Sequence, residues 1–310
     1  MIYKEDILPA LAKNISSADD AASSHWKYYH QFFEITETLK IQKVAGFGDG
    51  KKPYSPFTRL AHHLLQGRYR KMVPNNSFFQ KTYQSAKANT IRNSLRFSLD
   101  TLRQVLTLTH LKAHHLISEN NISLVIGDGF ACMGSLLLQS GIAKKVIMVN
   151  LTKTLFVDVA HAMTLPELSD NESIVLVDNE NDLKKAIKND NIKMIFIEAL
   201  NCEILHASEA DLVFNIASMQ EMDMKYINIY FNQMRKIARK KPVYFYCCNR
   251  KLKTFPDNTQ IKFSAYPWKD QDKHYFDELC PWHQNYYRLI PKFYFPYDGP
   301  IIHRFTKLSA

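Results

Sequence analysis

The apolar run "LVI" ends at Gly127-Asp128-Gly129, and Gly134 follows five residues later. Glycines in such a turn let backbone come close to a ligand, and a helix starting there offers unbonded N–H groups. That combination suits a nucleotide-like cofactor. The loop lacks the Lys-Ser/Thr pair of a phosphate-binding P-loop, so hydrolysis of a nucleoside triphosphate is not expected. It also departs from GxGxxG, because Cys132 occupies the third glycine position. Alone, it does not choose between a dinucleotide and another adenosine-bearing cofactor. Asn150 closes the next apolar run, "VIMVNL", where it could meet ribose hydroxyls or simply begin a turn. Further on, "ADLVFNIASMQEM" gathers Asn215, Ser218, Gln220 and Glu221. Of these, Glu221 is the one able to accept a proton from a reacting hydroxyl. It could equally bind the cofactor, or favour the start of the next helix by its charge.

Other reactive side chains point less clearly. His25 and His30 lie in the aromatic stretch "SSHWKYYHQFF" and are further candidates for acid–base work if that stretch closes over a cleft. The doublets His62-His63 and His114-His115 set adjacent side chains about 100° apart on a helix, a poor geometry for sharing one metal. The five cysteines include the adjacent Cys247 and Cys248 but no CxxC pair. Buried reduced thiols are expected, with no disulfide framework and no zinc site. A metal requirement is not indicated.

These residues need elements to position them. From about residue 121, short apolar runs recur: "ISLVIGDG", "KKVIMVNL", "ESIVLVDN", "IKMIFIEAL", "ADLVFNIAS" and "KPVYFYCCN". Helical stretches such as "DLKKAIKN" and "MKYINIYFNQMRKIARK" separate most of them. Apolar strands alternating with helices predict a parallel sheet covered on both faces, a doubly wound α/β domain over residues 121–310. Ligands of such sheets bind beyond the strand carboxyl ends, where the polar clusters above fall. Residues 1–120 read as a mainly helical region that could bind the acceptor or act as a lid. "SSHWKYYHQFFEITETLK" is one helix candidate, and Leu95, Leu99, Leu102 and Leu106 predict a long amphipathic one. Between them "VAGFGDGKKPYSPF" marks an irregular loop. In the last 60 residues, dense in aromatics and proline, periodicity does not decide the structure.

The net charge of +10 is concentrated. From Lys51 to Lys112 there are twelve Lys and Arg against one acid, Asp100, which leaves the remainder at +10 − 11 = −1. A basic block of this kind fits an anionic partner, or a solvated helical surface. If "NTIRNSLRF" is helical, Arg92 and Arg96 share one face, and Arg suits phosphate or carboxylate. No apolar run reaches the roughly 20 residues that span a bilayer. "MIYKEDILPALAKN" has acids where a secretory signal would be basic, so a cytoplasmic location is expected.

Taken together, "VIGDGFACMGSL", "VIMVNL", "IFIEALNCEIL" and "NIASMQEM" resemble the sugar O-methyltransferases, a bacterial family that uses S-adenosylmethionine. The resemblance covers roughly Ile122 to Arg250. It implies a Rossmann-like methyltransferase sheet with an N-terminal helical region, and S-adenosylmethionine as cofactor. The implied cofactor-binding residues are Gly127, Asp128, Gly129, Phe130, Asn150, Leu151, Glu198, Ala199, Asn215 and Ser218. Gln220, Asn249, Arg92 and Arg96 would meet the acceptor, and Glu221 or His25 would serve catalysis. The acceptor implied is a sugar or glycoconjugate of the kind used in polysaccharide biosynthesis, and an anionic one where the basic block serves a partner. Three positions depart from the wider methyltransferase pattern: Val125 for an acid, Ala131 for a glycine, and Asn150 for the acid that binds ribose. Asp128 is the residue left to face a cationic cofactor. Two other readings remain open. One is a nucleic-acid methyltransferase, although no RNA-binding module or (D/N)PP(Y/F) segment is present. The other is a degenerate methyltransferase fold kept as a binding or assembly subunit.

Overall fold

The computed structural model describes residues 1–15, 22–46 and 55–310. Most of the loop expected at "VAGFGDGKKPYSPF", with Lys51 and Lys52, lies outside the described residues. The six apolar runs form six strands of one nine-stranded sheet. In chain order the strands of the sheet are β1 (Ile2–Tyr3), β2 (Asn121–Ile126), β3 (Ala143–Asn150), β4 (Ile174–Leu176) and β5 (Met194–Glu198). They continue with β6 (Leu212–Ile216), β7 (Tyr244–Arg250), β8 (Lys273–Leu279) and β9 (Ile301–Lys307). Across the sheet the order is β1-β4-β5-β3-β2-β6-β7-β9-β8. Strands β2 to β7 are parallel. Antiparallel β1 closes one edge, and antiparallel β9 turns the other edge toward β8.

Alternate side chains of each central strand enter opposite cores, as the two-residue strand period requires. Val125, Met148, Phe196 and Phe214 face one layer, with Leu102, Leu106, Leu136 and Phe156. Leu124, Ile147, Ile195 and Val213 face the other, with Leu183, Ile227, Phe231 and Met234. The first layer comes from α1 (Lys4–Asn14), α4 (Ser77–Arg92), α5 (Leu99–Ala113), α6 (Cys132–Ser140) and α7 (Thr152–Ala162). The second comes from α8 (Glu180–Lys188) and α9 (Met224–Ala238). Each fully buried Leu, Ile or Phe contributes roughly 1.5–3 kcal/mol. A surface ion pair contributes about 0–1 kcal/mol, so these two layers hold the fold. The result is a Rossmann-like, doubly wound α/β architecture. Among the described residues no helix is long and apolar enough to cross a membrane.

The first 120 residues are less separate than their composition suggests. Ile2 and Tyr3 pair with Leu176 and Val175, and Ile7 and Leu11 belong to the same core as Phe156. The aromatic stretch forms only a short helix, α2 (Ser24–His30), before the Glu34–Ile35 and Ile41–Lys43 ribbon begins.

The structure also corrects the long helix expected around Leu95. Helix α4 stops at Arg92 in a Schellman motif: Ser94, at φ +53°, and Leu95 donate their N–H groups to Ile91 and Thr90. Helix α5 then begins afresh, with Ser98 Oγ accepting from Thr101 N at 3.0 Å. Arg92 and Arg96 therefore stand on different segments, not on one helical face. Ser98→Ala is expected to lower stability by about 1 kcal/mol through loss of this cap, read as a smaller urea midpoint at unchanged slope.

In the C-terminal region the aromatic segment between β8 and β9 folds a small ribbon, Asn285–Tyr287 with Tyr294–Pro296. It packs against α3 (Pro56–Arg70), where Tyr287 Oη lies 3.0 Å from both His62 Nδ1 and Gln66 Nε2.

Candidate active site

A cavity of about 270 Å³ opens beyond the carboxyl ends of β2, β3 and β6. The glycine loop forms its floor. Gly127 and Gly129 sit at φ +69° and +81°, a region open to glycine and strained for other residues. A Cβ on Gly127 would lie 1.8 Å from Ser218 Oγ, so backbone and side chain meet there with no room to spare. Phe130 and Ala131 also take positive φ, at 58° and 48°. Ala131 is held by donating its N–H to Asp158 Oδ1 at 2.9 Å.

Two acids brace this loop, half-buried Asp128 and fully buried Asp158. Asp128 accepts from Met133 N at 2.9 Å and Gly134 N at 2.8 Å, so it caps α6 while bordering the cavity. Asp158, on α7, accepts from both Ala131 N and Asn150 Nδ2. Burial pushes both carboxyls upward, and Asp128 nearby adds to the rise at Asp158. Asp158 was not singled out in the sequence; its signal is an acid inside the otherwise apolar helix "LFVDVA".

Asn150 borders the cavity but is largely committed to protein partners. Its Oδ1 accepts from Leu151 N and Thr154 Oγ1, and one Nδ2 hydrogen goes to Asp158. That leaves a single amide hydrogen for a ligand. Phe130 and His161 form an aromatic pair on the cavity wall, with centroids 4.9 Å apart. Burial lowers the His161 pKa to about 4, so the ring is neutral near pH 7.

Asn215, Asn249 and Glu198, at strand ends, hold the frame and do not border the cavity. Asn215 donates to Ile126 O and accepts from Met219 N and Asn249 Nδ2. Asn249 Oδ1 accepts from Gln220 N, and Gln220 Oε1 accepts from Arg250 N. This network ties β2, β6 and β7 together at their carboxyl ends. Glu198 accepts from Thr152 Oγ1 and Asn14 Nδ2, Ala199 is buried behind it, and Leu151 leads into α7.

On the opposite wall stand Ser218, Gln220, Glu221 and Arg250. His25 comes from the far end of the chain to place Nε2 3.5 Å from Glu221 Oε1. Both are largely buried, and His25 is packed by Trp26, Tyr29 and Phe255. Ser23 Oγ donates to the Glu221 carbonyl at 2.6 Å and fixes the start of α2 against this loop. Two side chains chosen separately from sequence are thus neighbours. Arg96 borders the cavity, whereas Arg92 is exposed and bonds Asn89. Sequence reading passed over the contributions of Asp100, Gln104, His283 and Tyr297, all on the wall. Asp100, counted in the sequence only as the lone acid of the basic block, pairs with buried Arg103 at 2.6 Å.

No family model matches the chain, and no curated protein does. Among solved structures it is similar to the methyltransferase domain of bacterial CtHen1, with 11% identity and a TM-score of 0.38, covering 68% of this chain and 100% of that one. It is also similar to Haemonchus contortus phosphoethanolamine N-methyltransferase 1, solved with phosphoethanolamine and S-adenosylhomocysteine. There the identity is 11%, the TM-score 0.35 and the coverage 81% of this chain and 49% of that one.

Proposed function

We propose that the protein is an S-adenosylmethionine-dependent O-methyltransferase acting on a hydroxyl of an anionic sugar or glycoconjugate. The observation that carries this reading is one cavity bordered both by a glycine loop without room for a Cβ and by Glu221, with His25 beside it. The glycine loop, Asn150 and the Phe130–His161 pair would hold the adenosine end of the cofactor. Bound there, the cofactor supplies a methyl group on a sulfonium, with a thioether as leaving group. The chain's own contribution is alignment of the acceptor oxygen and removal of its proton. Glu221 accepts that proton as the new O–C bond forms, and His25 keeps the carboxylate oriented.

Calorimetry with S-adenosylmethionine and, separately, NAD tests the cofactor. Binding of the first and not the second is expected; no heat with S-adenosylmethionine would sink the proposal and favour a fold retained for binding or assembly. Radiolabelled methyl transfer onto sugar phosphates and sugar nucleotides then tests the acceptor, and label in RNA instead would favour a nucleic-acid substrate.

The cationic side chains give a finer expectation. Arg96→Ala should weaken binding of an anionic acceptor by about tenfold or more, as for loss of a charge-assisted hydrogen bond of roughly 1.5–3 kcal/mol. Arg92→Ala should change it by no more than about twofold, as for a surface charge. Equal effects in acceptor KM would remove Arg96 from the acceptor site.

A further inference from the structure

We propose that Cys248, Cys280 and His283 form a zinc site at the cavity wall, which His283 borders. The three come from β7 and from the turn "CPWH" that follows β8, and they are at most 5% exposed. His283 Nδ1 lies 3.4 Å from Cys248 Sγ and 3.3 Å from Cys280 Sγ, and all three atoms fall within 4.8 Å of one another. Zinc takes sulfur at about 2.3 Å and imidazole nitrogen at about 2.0–2.1 Å, so tetrahedral ligands sit about 3.5 Å apart, S to N. The two S–N separations need only a small expansion to reach that value.

A hydrogen bond to His283 does not account for both short contacts. One imidazole nitrogen carries either a single hydrogen or a single lone pair, so it can serve one of the two thiols but not both. A metal ion satisfies all three groups at once. Charge favours the same answer. Two thiolates, a neutral imidazole and Zn²⁺ sum to zero, so the site needs no counter-ion inside an apolar layer where an unpaired charge would be costly. Arg103, the cation close by among the described residues, is already bonded to Asp100, to the Trp282 carbonyl and to the Asn285 carbonyl. Two thiolates and a nitrogen form a donor set of the softness that zinc accepts.

The site would work as a clip. Cys280 N donates to Ile301 O, and His283 N donates to Cys280 O, which closes the turn and presents both ligands on one side. Bridging that turn to β7 fixes the start of the segment that carries His283 and Tyr297 to the cavity. Three protein ligands leave one tetrahedral position for water or a small ligand. The assignment stands independently of the methyl-transfer reading.

Metal analysis of the protein purified under reductant, without a histidine tag or chelator, should find about one zinc per chain. Cys280→Ser and His283→Ala should lose it, while Cys202→Ser, a buried thiol outside the cluster, should keep it. The wild type supplies a test free of folding defects. Stripped with chelator and given Co²⁺, it should develop thiolate-to-cobalt charge-transfer absorption and the intense visible bands of tetrahedral cobalt. Zinc added afterwards should abolish both and raise the unfolding temperature. Absence of stoichiometric zinc together with no tetrahedral cobalt spectrum would overturn the proposal. So would a Cys248–Cys280 disulfide in peptides alkylated without reduction.

Discussion

Gly127→Ala should abolish cofactor binding and strongly destabilise the protein. The added Cβ would stand 1.8 Å from Ser218 Oγ and 2.6 Å from Ser218 Cβ, separations that no packing tolerates. The backbone at φ +69° adds a separate penalty of roughly 1–2 kcal/mol for an L-residue. The loop would have to move away from β6, and with it the N–H groups of Ala131 and Met133 that Asp158 and Asp128 hold. The double variant Gly127→Ala with Ser218→Gly separates the two effects. Removing the whole serine side chain should restore folding up to the φ penalty and recover part of the binding. Thermal melts and calorimetry with S-adenosylmethionine measure both. A single Gly127→Ala variant with native melting and native affinity would show that the loop and Ser218 do not meet.

Glu221→Gln is expected to have the largest effect on turnover. General-base catalysis is worth about 10²–10⁴-fold in rate, and glutamine keeps the shape while losing the ability to take a proton. The fall should appear in kcat, with cofactor affinity close to that of the wild type. His25→Ala should reduce kcat less, because His25 acts through Glu221, which lies 3.5 Å from it. Loss of cofactor affinity with unchanged kcat at saturation would instead make Glu221 a cofactor ligand. Unchanged values of both would leave it as a charge at the loop before α9.

The six parallel strands were legible because they are short apolar runs rich in β-branched or aromatic residues, and burial on both faces demands that composition. The short edge strand Ile2–Tyr3 was not, since two residues carry no period. The long helix through Leu95 misled because leucine spacing is blind to a Schellman turn, here set by Ser94 in a left-handed conformation with Ser98 capping the next helix. In the site, residue type pointed to the strand ends beside the cavity without saying what each side chain touches. Asn215 and Asn249 look like ligand contacts in sequence, yet they bond each other and the neighbouring strands. The approach of His25 to Glu221 could not be read at all, because nothing local links two segments so far apart in the chain. "CPWH" was readable as a C-x-x-H spacing, but its partner Cys248 stands on another strand, hidden beside Cys247.

The polar network at the carboxyl ends of β2, β6 and β7 also bears on how the protein is made. Ile126 leaves the ribosome 89 residues before Asn215, whose side chain bonds its carbonyl. Asn249 follows Asn215 by a further 34 residues and completes the tie. The glycine loop is therefore synthesised long before its opposite wall. A nascent chain ending short of β7 should be unable to retain the cofactor, and Glu221 should lack its supporting frame until β7 emerges. On the proposed function, ligand binding is in this sense a property acquired late in translation, after most of the sheet has been made.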